Sequence, residues 1–404
     1  MNNTLDINKL QKAVDAQAQY GSTSKAAVAL GLVRETLQSQ LRRAQHLGIK
    51  PRIQNANDPV MLKRRIRELE SHLKASERRN SDLEIIKGVI GAMKRKVEDL
   101  DPPPFLLTPH SSDTSPGVPT LFLSDLHWGE VVHPSQINGV NQYNLRIAHE
   151  RIGAAVSSAI HLLKIISPKM DYPGIVLPLG GDMISGNIHD ELTATNEINS
   201  MPAVEDLYKA LVGVIERLAD TFGQVFVPCV SGNHGRDTRK IWSKDRNHTS
   251  FDWLLYRFLA LHFDNDKRVT FYIPDGPDAY YRIFGHRYLL THGDQFRGGD
   301  GMIGALGPII RGDHKKRSRN AQIDMEYDTM ICGHWHQYIH LTRLIVNGTL
   351  KGYDEYAYSN NFGYEPPQQA LWLTHPKYGI TYRMPVYVDK RREPAKTSWV
   401  SVAS

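Results

Sequence analysis

The chain has 404 residues, of which 41% are hydrophobic and 23% charged, so it is long enough for more than one domain and can bury a large core. No run approaches the ~20 apolar residues of a membrane span, and the first residues lack a signal-peptide pattern, so we expect no membrane association and a cytoplasmic location. The two cysteines, Cys229 and Cys332, lie in apolar runs, which predicts buried thiols and argues against a structural disulfide.

The net charge of +6 is unevenly distributed along the chain. Residues 1–100 hold 19 Lys and Arg against 11 Asp and Glu, so their net charge is +8 and that of the remaining residues is −2. A basic segment is typical of nucleic-acid binding, although a helix surface carrying both charges gives a similar count without any partner. The N-terminal segment is therefore where we expect a contact with nucleic acid.

Residues 1–50 are predicted to form a helical domain. Apolar residues at helical spacing predict a first helix over about 7–19, the small polar run 21–24 predicts a break and an N-cap, and a second helix is predicted over 25–30. Gly31 then marks the turn into a third helix.

The stretch 26–43 resembles a helix-turn-helix, notably of the Fis-like kind. Ala27 is small enough for close approach of two helices, Gly31 tolerates a left-handed backbone, and Leu37 and Leu41 are placed to pack the next helix inward. The resemblance implies a DNA-binding domain whose third helix enters a major groove. The polar residues on the outside of that helix are Arg34, Glu35, Gln38, Arg42 and Arg43. The alternative is a three-helix oligomerisation module.

Residues 58–98 carry a heptad-like series from Leu62 to Ile90 with spacings that alternate between four and three. This is the period of a coiled coil, and Asn80 falls at an a-type position, where a buried asparagine often selects a parallel dimer. We therefore predict a homodimer joined through this helix. The alternative is a single long helix packed on the C-terminal half. Residues 99–118, rich in Pro, Ser and Thr, are predicted to be a flexible linker.

Five short polar clusters each follow an apolar run within residues 119–390. They are Ser124-Asp125-Leu126-His127, Gly181-Asp182, Gly232-Asn233-His234, Thr291-His292 and Gly333-His334-Trp335-His336. The runs before them are short and rich in β-formers, as buried strands are, and segments of helical spacing lie between them. The pattern predicts a layered α/β domain with the clusters beyond the carboxyl ends of the strands, where ligands bind in such sheets.

The side chains in these clusters are ones that bind divalent cations. Two such ions about 3.5–4 Å apart can clamp an attacking hydroxide and a phosphoryl oxygen, provided that one ligand touches both ions. The order of the motifs, D-x-H, G-D, G-N-H, H and G-H-x-H, resembles that of the calcineurin-like metallophosphoesterase family. The resemblance implies that family's fold, a β-sandwich flanked by helices.

The resemblance also implies a two-metal site with assigned roles. One metal ion would be bound by Asp125, His127 and His336, the other by Asn233, His292 and His334, and Asp182 would bridge them. His234 would be catalytic, because the matching histidine of the family lies over the phosphate and protonates the leaving oxygen, while a metal-bridging hydroxide attacks. We expect Mn²⁺, with Fe, Zn²⁺ or Mg²⁺ as alternatives.

Two departures from the family pattern qualify the resemblance. Many relatives follow G-N-H with an acidic residue, whereas this chain has Gly235, and Asp237 is a candidate replacement. The phosphoprotein phosphatase branch continues its second motif as G-D-x-x-D-R-G. This chain instead has Gly181-Asp182-Met183-Ile184-Ser185-Gly186-Asn187, which argues against that branch.

A glycine-rich run at 297–301 and a basic cluster follow the fourth motif. We predict a mobile basic loop that guides DNA towards the metals through Lys315, Lys316 and Arg317, and a plain solvated loop is the alternative. Residues 391–404 are predicted to be a tail.

The sequence thus predicts a two-metal phosphodiesterase that hydrolyses DNA and is held on it by the N-terminal arm. The metal motifs resemble those of the double-strand-break-repair nucleases, and the general build resembles phage or prokaryotic proteins. One alternative is a phosphatase or small-substrate phosphodiesterase whose N-terminal half serves assembly. Another is a DNA-binding regulatory protein with a non-essential metal site.

Overall fold

The computed structural model describes residues 6–51, 102–108, 115–298 and 304–389. The chain divides into two compact units, with the division after residue 91. The predicted coiled-coil helix at 58–98 and the predicted tail at 391–404 lie outside the described residues. No helix in the described ranges is long and apolar enough to cross a membrane.

The N-terminal unit contains three helices, α1 (Ile7–Tyr20), α2 (Thr23–Ala29) and α3 (Arg34–His46), and these match the predicted ones. Ser22 begins α2, because its hydroxyl accepts a hydrogen bond from the N–H of Lys25. Gly31 has a φ of +62°, the left-handed conformation that the turn before α3 requires. The small core of this unit comprises Ala13, Ala16, Ala26, Ala27 and Leu37.

The C-terminal unit alternates strands and helices. Its helices are α4 (Pro104–Leu107), α5 (Leu145–Ile166), α6 (Asp190–Thr195), α7 (Ser200–Phe222), α8 (Phe251–His262), α9 (Leu306–Ala321) and α10 (Glu355–Ser359), with 3₁₀ turns at Pro134–Gln136 and Asn247–Thr249. Its strands are β1 (Val118–Phe122), β2 (Ile175–Val176), β3 (Val225–Pro228), β4 (Val269–Tyr272), β5 (Asp278–Ile283), β6 (His286–Thr291), β7 (Thr329–Cys332), β8 (Ile339–Leu341), β9 (Leu344–Val346), β10 (Gln368–His375) and β11 (Gly379–Tyr387).

The strands form two mixed sheets. The first has the order β11-β10-β1-β2-β3-β4 and the second the order β5-β6-β7-β9-β8. Strands β1 to β4 run parallel to one another, as do β6, β7 and β9, whereas β10, β11, β5 and β8 pair antiparallel. The parallel strands at the centre of each sheet therefore end on one side.

The two sheets pack face to face with helices outside. Phe122 of β1 and Trp372 of β10 share one core with Tyr288 of β6 and Ile331 of β7, so this core lies between the sheets. The other side of the first sheet packs against α5, α7 and α8, and the other side of the second sheet packs against α9. The predicted α/β class, a β-sandwich flanked by helices, is confirmed.

Part of the predicted linker at 99–118 is folded rather than flexible. Residues 102–108 include α4, whose Phe105 and Leu106 are buried in the core between the sheets. The carbonyl of Leu106 accepts a hydrogen bond from the N–H of Phe284. The segment folds despite its prolines, because burial of each of these two large apolar side chains stabilises the fold by about 1.5–3 kcal/mol.

The predicted basic loop after the fourth motif is also different in the structure. Residues 306–321 form α9, and its buried positions Ile309, Gly312, Lys316 and Asn320 recur at the spacing of one helix face. Gly312 lies on that face because the ring of Phe296 occupies the space that a side chain would fill. Gly312 therefore allows α9 to pack closely against Phe296.

Candidate metal centre

The predicted clusters lie at the carboxyl ends of the parallel strands of both sheets. Asp125 follows β1, Asp182 follows β2 and Asn233 follows β3 in the first sheet. His292 follows β6 and His334 follows β7 in the second sheet. The sandwich therefore brings together, at one edge, polar residues that are far apart in the sequence.

The backbone at these clusters is strained. Five of the predicted ligands have positive φ angles, namely Asp125 (53°), His127 (48°), Asp182 (50°), His334 (69°) and His336 (52°). Residues other than glycine rarely adopt this conformation, and it costs of the order of 1–3 kcal/mol each. Such strain concentrates at functional sites, where the surrounding structure fixes side chains in directions that a relaxed backbone would not give.

The motif glycines are explained by close approach. A Cβ atom on Gly232 would collide with the carboxylate of Asp182, and a Cβ atom on Gly333 would collide with the carboxylate of Asp125. The glycine before each ligand pair therefore leaves room for the carboxylate of another motif.

The first group of converging ligand atoms comes from Asp125, His127 and His336. The Nε2 atoms of His127 and His336 are 3.0 Å apart, and Nε2 of His336 lies 3.5 Å from Oδ1 of Asp125. All three candidate ligand atoms lie within 4.8 Å of one another. The structure thus brings the three predicted ligands of the first metal ion together. That they bind a metal ion stays a prediction.

The second group comprises Asp182, His292 and His334, again within 4.8 Å of one another. Nε2 of His292 lies 3.0 Å from Oδ2 of Asp182 and 3.2 Å from Oδ1 of Asn233. Asp182 also forms a third group with His127 and His234. It therefore lies between the two sets, where the bridging ligand was predicted.

The donor set of the second group fits a cation. Nδ1 of His292 is 2.8 Å from the carbonyl oxygen of Gly180, to which it donates, so the neutral ring presents its Nε2 lone pair to the oxygens of Asp182 and Asn233. Oδ2 of Asp182 is buried, and among the described residues it has a hydrogen-bond donor only when Nε2 of His292 carries a proton. When His292 is neutral, three electron-rich atoms face one another here, an arrangement that a bound metal ion stabilises.

Without a metal, a proton occupies this position. Burial lowers the pKa of His292, but the negative charges of Asp182, Asp125 and Asp294 and the hydrogen bond to Asp182 together raise that pKa to about 10. A cation and a proton therefore compete for the same Nε2 atom.

Backbone and hydroxyl donors hold both carboxylates. The Ser124 hydroxyl donates to Oδ2 of Asp125 at 2.5 Å, and the N–H of His334 donates to Oδ1 at 2.9 Å. The N–H of His234 donates to Oδ1 of Asp182 at 2.7 Å, which leaves Oδ2 directed at His292. The two backbone bonds each join different motifs, so the motifs position one another.

Asp252 at the start of α8 supports the second and third motifs, a role that the sequence analysis missed. Its buried carboxylate accepts hydrogen bonds from the N–H groups of Asp182, Met183 and Gly232, at 3.0, 3.2 and 2.9 Å. Asp237, the candidate replacement for the acidic residue after G-N-H, is exposed. Asp252 is distant from G-N-H in sequence, so no local spacing indicated it.

A buried ionic chain supports His127. Its Nδ1 lies 3.1 Å from Oε2 of Glu130, and Oε1 of Glu130 lies 2.7 Å from Nζ of Lys351, which in turn lies 2.6 Å from Asp354. Although burial raises the pKa of Glu130, the charge of Lys351 holds it well below its ordinary value. A carboxylate on the second nitrogen of a histidine fixes the ring, as is common for metal-binding histidines.

His234, the predicted catalytic residue, lies beside the first ligand group. Its Nδ1 lies 2.9 Å from the carbonyl oxygen of Ser185 and donates to it, which leaves Nε2 for another partner. Its ring centroid is 4.6 Å from that of His127 and 6.3 Å from that of His189. Burial lowers the pKa of His234.

A basic segment that the sequence analysis did not single out follows Asn233 directly. We call Arg236, Arg239, Lys240, Lys244 and Arg246 the cationic flank. The Arg236 guanidinium donates to the carbonyl of Asn233 at 2.6 Å, and that of Arg246 pairs with Asp294 at 2.9 Å. Trp242, within the same segment, is 54% exposed. Arg236 and Arg246 therefore have internal partners, and the exposed positive charges of the flank are Arg239, Lys240 and Lys244. The segment adjoins the second ligand group through the contact of Arg236 with Asn233.

The residues predicted to contact DNA differ in exposure between the N-terminal unit and α9. In the N-terminal unit Arg34, Arg42 and Arg43 are exposed and Gln38 is half-buried, as a contact surface requires.

In α9 the prediction is wrong for two of the three basic residues. Lys315 is exposed, but Lys316 is buried with its Nζ 2.6 Å from Oδ1 of Asp278. Arg317 binds Asp313 and the carbonyls of Tyr327, Asp328 and Arg343. Both side chains are committed to internal partners, because the helix turns them towards the second sheet.

Comparisons with known proteins give remote likenesses. No protein-family model matches the chain, and no curated protein matches it. Among solved structures, vacuolar protein sorting 29 from Cryptosporidium parvum is 14% identical with a TM-score of 0.26, over 63% of this chain and 84% of its own. A predicted phosphoesterase from Streptococcus pneumoniae is 10% identical with a TM-score of 0.25, over 64% and 83%.

A third likeness is to phosphopantetheinyl hydrolase from Mycobacterium tuberculosis, which is 10% identical with a TM-score of 0.23, over 58% of this chain and 90% of its own. TM-scores this low carry no argument about function. The functional conclusion for this chain therefore rests on its own side chains.

Proposed function

We propose that this protein is a metal-dependent phosphodiesterase that hydrolyses DNA. The observation that supports it is the convergence of two groups of ligand atoms from four motifs, with Asn233 of the remaining motif in contact with His292 and with Asp182 between the groups. The first metal ion would be held by Asp125, His127 and His336, and the second by Asn233, His292 and His334. Mn²⁺ is the proposed metal, because mixed imidazole and carboxylate ligands suit it, as they also suit Fe and Zn²⁺.

The chemistry of such a centre follows from charge. Two divalent cations would exceed the charge of the two carboxylates, attract a phosphodiester and make bound water acidic enough to attack near neutral pH. The chain's own contribution is to fix the ligands from behind, through Asp252 and Glu130, and to place His234 beside them. His234 donates from Nδ1 to Ser185, so Nε2 is the atom that would hold the proton for the leaving oxygen.

DNA is the proposed substrate for two reasons. The exposed Arg34, Arg42 and Arg43 of α3 follow a turn of helix-turn-helix type, which suits contact with a duplex. The cationic flank adds positive charge beside the metal centre, where phosphates of a long substrate would lie. We further propose that residues 58–98 join two chains into a dimer.

The test compares full-length protein with the His234→Ala variant in Mn²⁺, on plasmid, linear duplex and single-stranded DNA and on a small chromogenic phosphodiester. Cleavage of DNA that is lost in the variant is expected. If the small ester alone is hydrolysed and all DNA stays whole, DNA is not the substrate.

A small-substrate phosphodiesterase or phosphatase is the second candidate. It is favoured by the internal pairing of Lys316 and Arg317, which removes two positive charges that were expected to face a polyanion. Substitution of Arg34 and Arg42 by alanine separates the two functions, because it should weaken activity on DNA in a salt-dependent way and leave a small substrate unaffected.

A further inference from the structure

One surface beside the metal centre consists of aromatic rings. Residues 353–364 follow β9 and include α10, and they contain no Lys or Arg. Their rings form what we call the aromatic platform, namely Tyr353, Tyr356, Tyr358, Phe362 and Tyr364. The exposed fractions of the last four are 69%, 41%, 50% and 50%. Four large, half-exposed rings within nine residues are an unusual concentration for a soluble surface.

The platform is an ordered surface. The ring centroids of Tyr356 and Phe362 are 5.9 Å apart, and those of Tyr353 and Tyr364 are 5.5 Å apart. The Tyr353 hydroxyl donates to the carbonyl of Phe362 at 2.8 Å, and the side chain of Asn138 donates to the Tyr358 hydroxyl at 2.8 Å. The rings are thus held in place before any ligand arrives, which lowers the entropic cost of binding.

The platform is linked to the first ligand group through a buried chain of charged residues. Asp354, which caps α10, pairs with Lys351, and Lys351 pairs with the Glu130 that contacts His127. Glu355 accepts a hydrogen bond from the N–H of His133, in the segment that follows His127. The platform therefore adjoins the His127 side of the centre, whereas the cationic flank adjoins the Asn233 side.

This arrangement separates two kinds of contact. Positive charge binds phosphates, and the cationic flank supplies it. Exposed rings bind the flat faces of other rings, and the platform supplies only these. A duplex presents phosphates and groove edges on its outside and hides its base faces, so it offers little to a surface of this kind. An unpaired strand offers both phosphates and base faces.

We propose that the aromatic platform stacks the bases of an unpaired strand while the adjoining phosphodiester lies in the metal centre. The substrate class is then single-stranded DNA, or a duplex end with unpaired nucleotides. This inference rests on the proposed function, since it assigns the substrate of the same centre.

The test uses full-length protein carrying both Tyr356→Ala and Phe362→Ala. The ring-retaining pair Tyr356→Phe with Phe362→Tyr is the matched variant, and Tyr378→Ala removes a tyrosine that is 68% exposed in the turn between β10 and β11. The substrates are a single-stranded oligonucleotide, the same sequence as duplex, the same strand with abasic sites, and bis(p-nitrophenyl) phosphate. A thermal melt of each variant reports folding.

The double alanine variant should raise KM for the single strand about tenfold or more, because stacking of one base on a ring accounts for roughly a 5- to 150-fold change in affinity. The ring-retaining pair and Tyr378→Ala should match the wild type. The abasic strand should be a poor substrate for the wild type, and the double variant should no longer distinguish it from the normal strand. Turnover of the small diester should stay the same.

Unchanged KM for the single strand in the double alanine variant would overturn the platform while leaving the nuclease intact. If the wild type hydrolyses the small diester and no DNA, the proposed function fails instead. The platform is then judged from binding of the labelled single strand by fluorescence anisotropy, where equal affinity of the wild type and the double variant overturns it. A change in oligomeric state without a change in DNA affinity would also overturn it, because it would identify a protein interface.

Discussion

Two clusters of charged residues in the C-terminal unit differ in how completely they are paired. In the cluster between α9 and β5, both oxygens of Asp278 meet a cation, Lys316 at 2.6 Å and Arg319 at 2.8 Å. In the metal centre, Oδ2 of Asp182 faces Nε2 of His292 at 3.0 Å, and among the described residues it has a hydrogen-bond donor only when that nitrogen carries a proton. The first cluster is complete without a ligand, and the second has ligand atoms directed at a shared space. The completeness of ion pairing therefore distinguishes a structural ion cluster from a binding site more clearly than the burial of the charged groups does.

The largest expected effect is that of Asp182→Ala. This carboxylate belongs to two of the three ligand groups, so its removal should lower kcat/KM on DNA and on a small phosphodiester by on the order of 10³-fold or more. Steady-state kinetics on both substrates measure it. Asp237→Ala is the control, since Asp237 is an exposed acid near the same motif and its removal should leave the rate unchanged.

Substitution in the Asp278 cluster should instead lower the stability of the protein and leave its activity unchanged. Lys316→Ala leaves Asp278 buried with one cation fewer, which should lower the free energy of unfolding by about 3–5 kcal/mol in chemical denaturation. KM for DNA should not change under conditions where the variant is folded. Lys315→Ala, at an exposed neighbouring position, should leave stability within about 0.5 kcal/mol of the wild type. A weaker KM for DNA in Lys316→Ala would mean that Lys316 does reach the substrate.

Removal of metal should destabilise the protein and should depend on pH. Mn²⁺ at about 100 times its dissociation constant should add about 2.7 kcal/mol of stability, measured as a shift of the melting temperature that chelation reverses. In the metal-free protein the pKa of His292 is raised to about 10, so the ring carries a proton at pH 8 and must release it when a cation binds. The apparent affinity for Mn²⁺ should therefore increase as pH rises towards 10. Calorimetry in buffers of different ionisation enthalpy detects the released proton, and its absence at pH 8 would contradict this competition.

Glu130→Gln tests the support behind the ligands. The substitution keeps the shape and removes the charge that faces His127 and Lys351, so metal affinity or activity should fall by about 10- to 100-fold. Titration of Mn²⁺ against activity measures it. Glu150→Gln changes an exposed acid on α5 and should have no effect. An equal loss of metal affinity or activity in both variants would mean that the change in net charge causes the effect, and not the lost contact with His127.

The smallest expected effect is that of Arg34→Ala combined with Arg42→Ala. Two lost phosphate contacts should reduce the slope of log affinity against log salt by about 1.8 for duplex DNA, with a loss of affinity that is larger at low salt. Binding measured over a salt series shows it. A slope that stays the same would exclude α3 from the DNA contact.

The sequence predicted the parts of the site that are encoded locally. The predicted ligands follow five strands within a few residues of each strand end, so apolar runs predicted where the motifs lie and the family resemblance supplied the ligand roles, which stay predictions. The three N-terminal helices were predicted for the same reason, since their caps and turn glycine are local.

The supporting residues were missed because their contacts are made only in the folded chain. Asp252 reaches the second motif from α8, and Lys351 reaches Glu130 from beyond β9. The prediction for α9 was wrong for a different reason. A lysine normally indicates exposure, and only the burial of Lys316 against Asp278 shows that this one belongs to a core-facing helix surface.

The most direct test of the central claim is anomalous diffraction from crystals of the full-length protein soaked in Mn²⁺. Two peaks are predicted, one among Asp125, His127 and His336 and the other among Asn233, His292 and His334, with Asp182 in contact with both. No peak at this edge of the sandwich, or a single peak that leaves one ligand group without an ion, would contradict a two-metal centre.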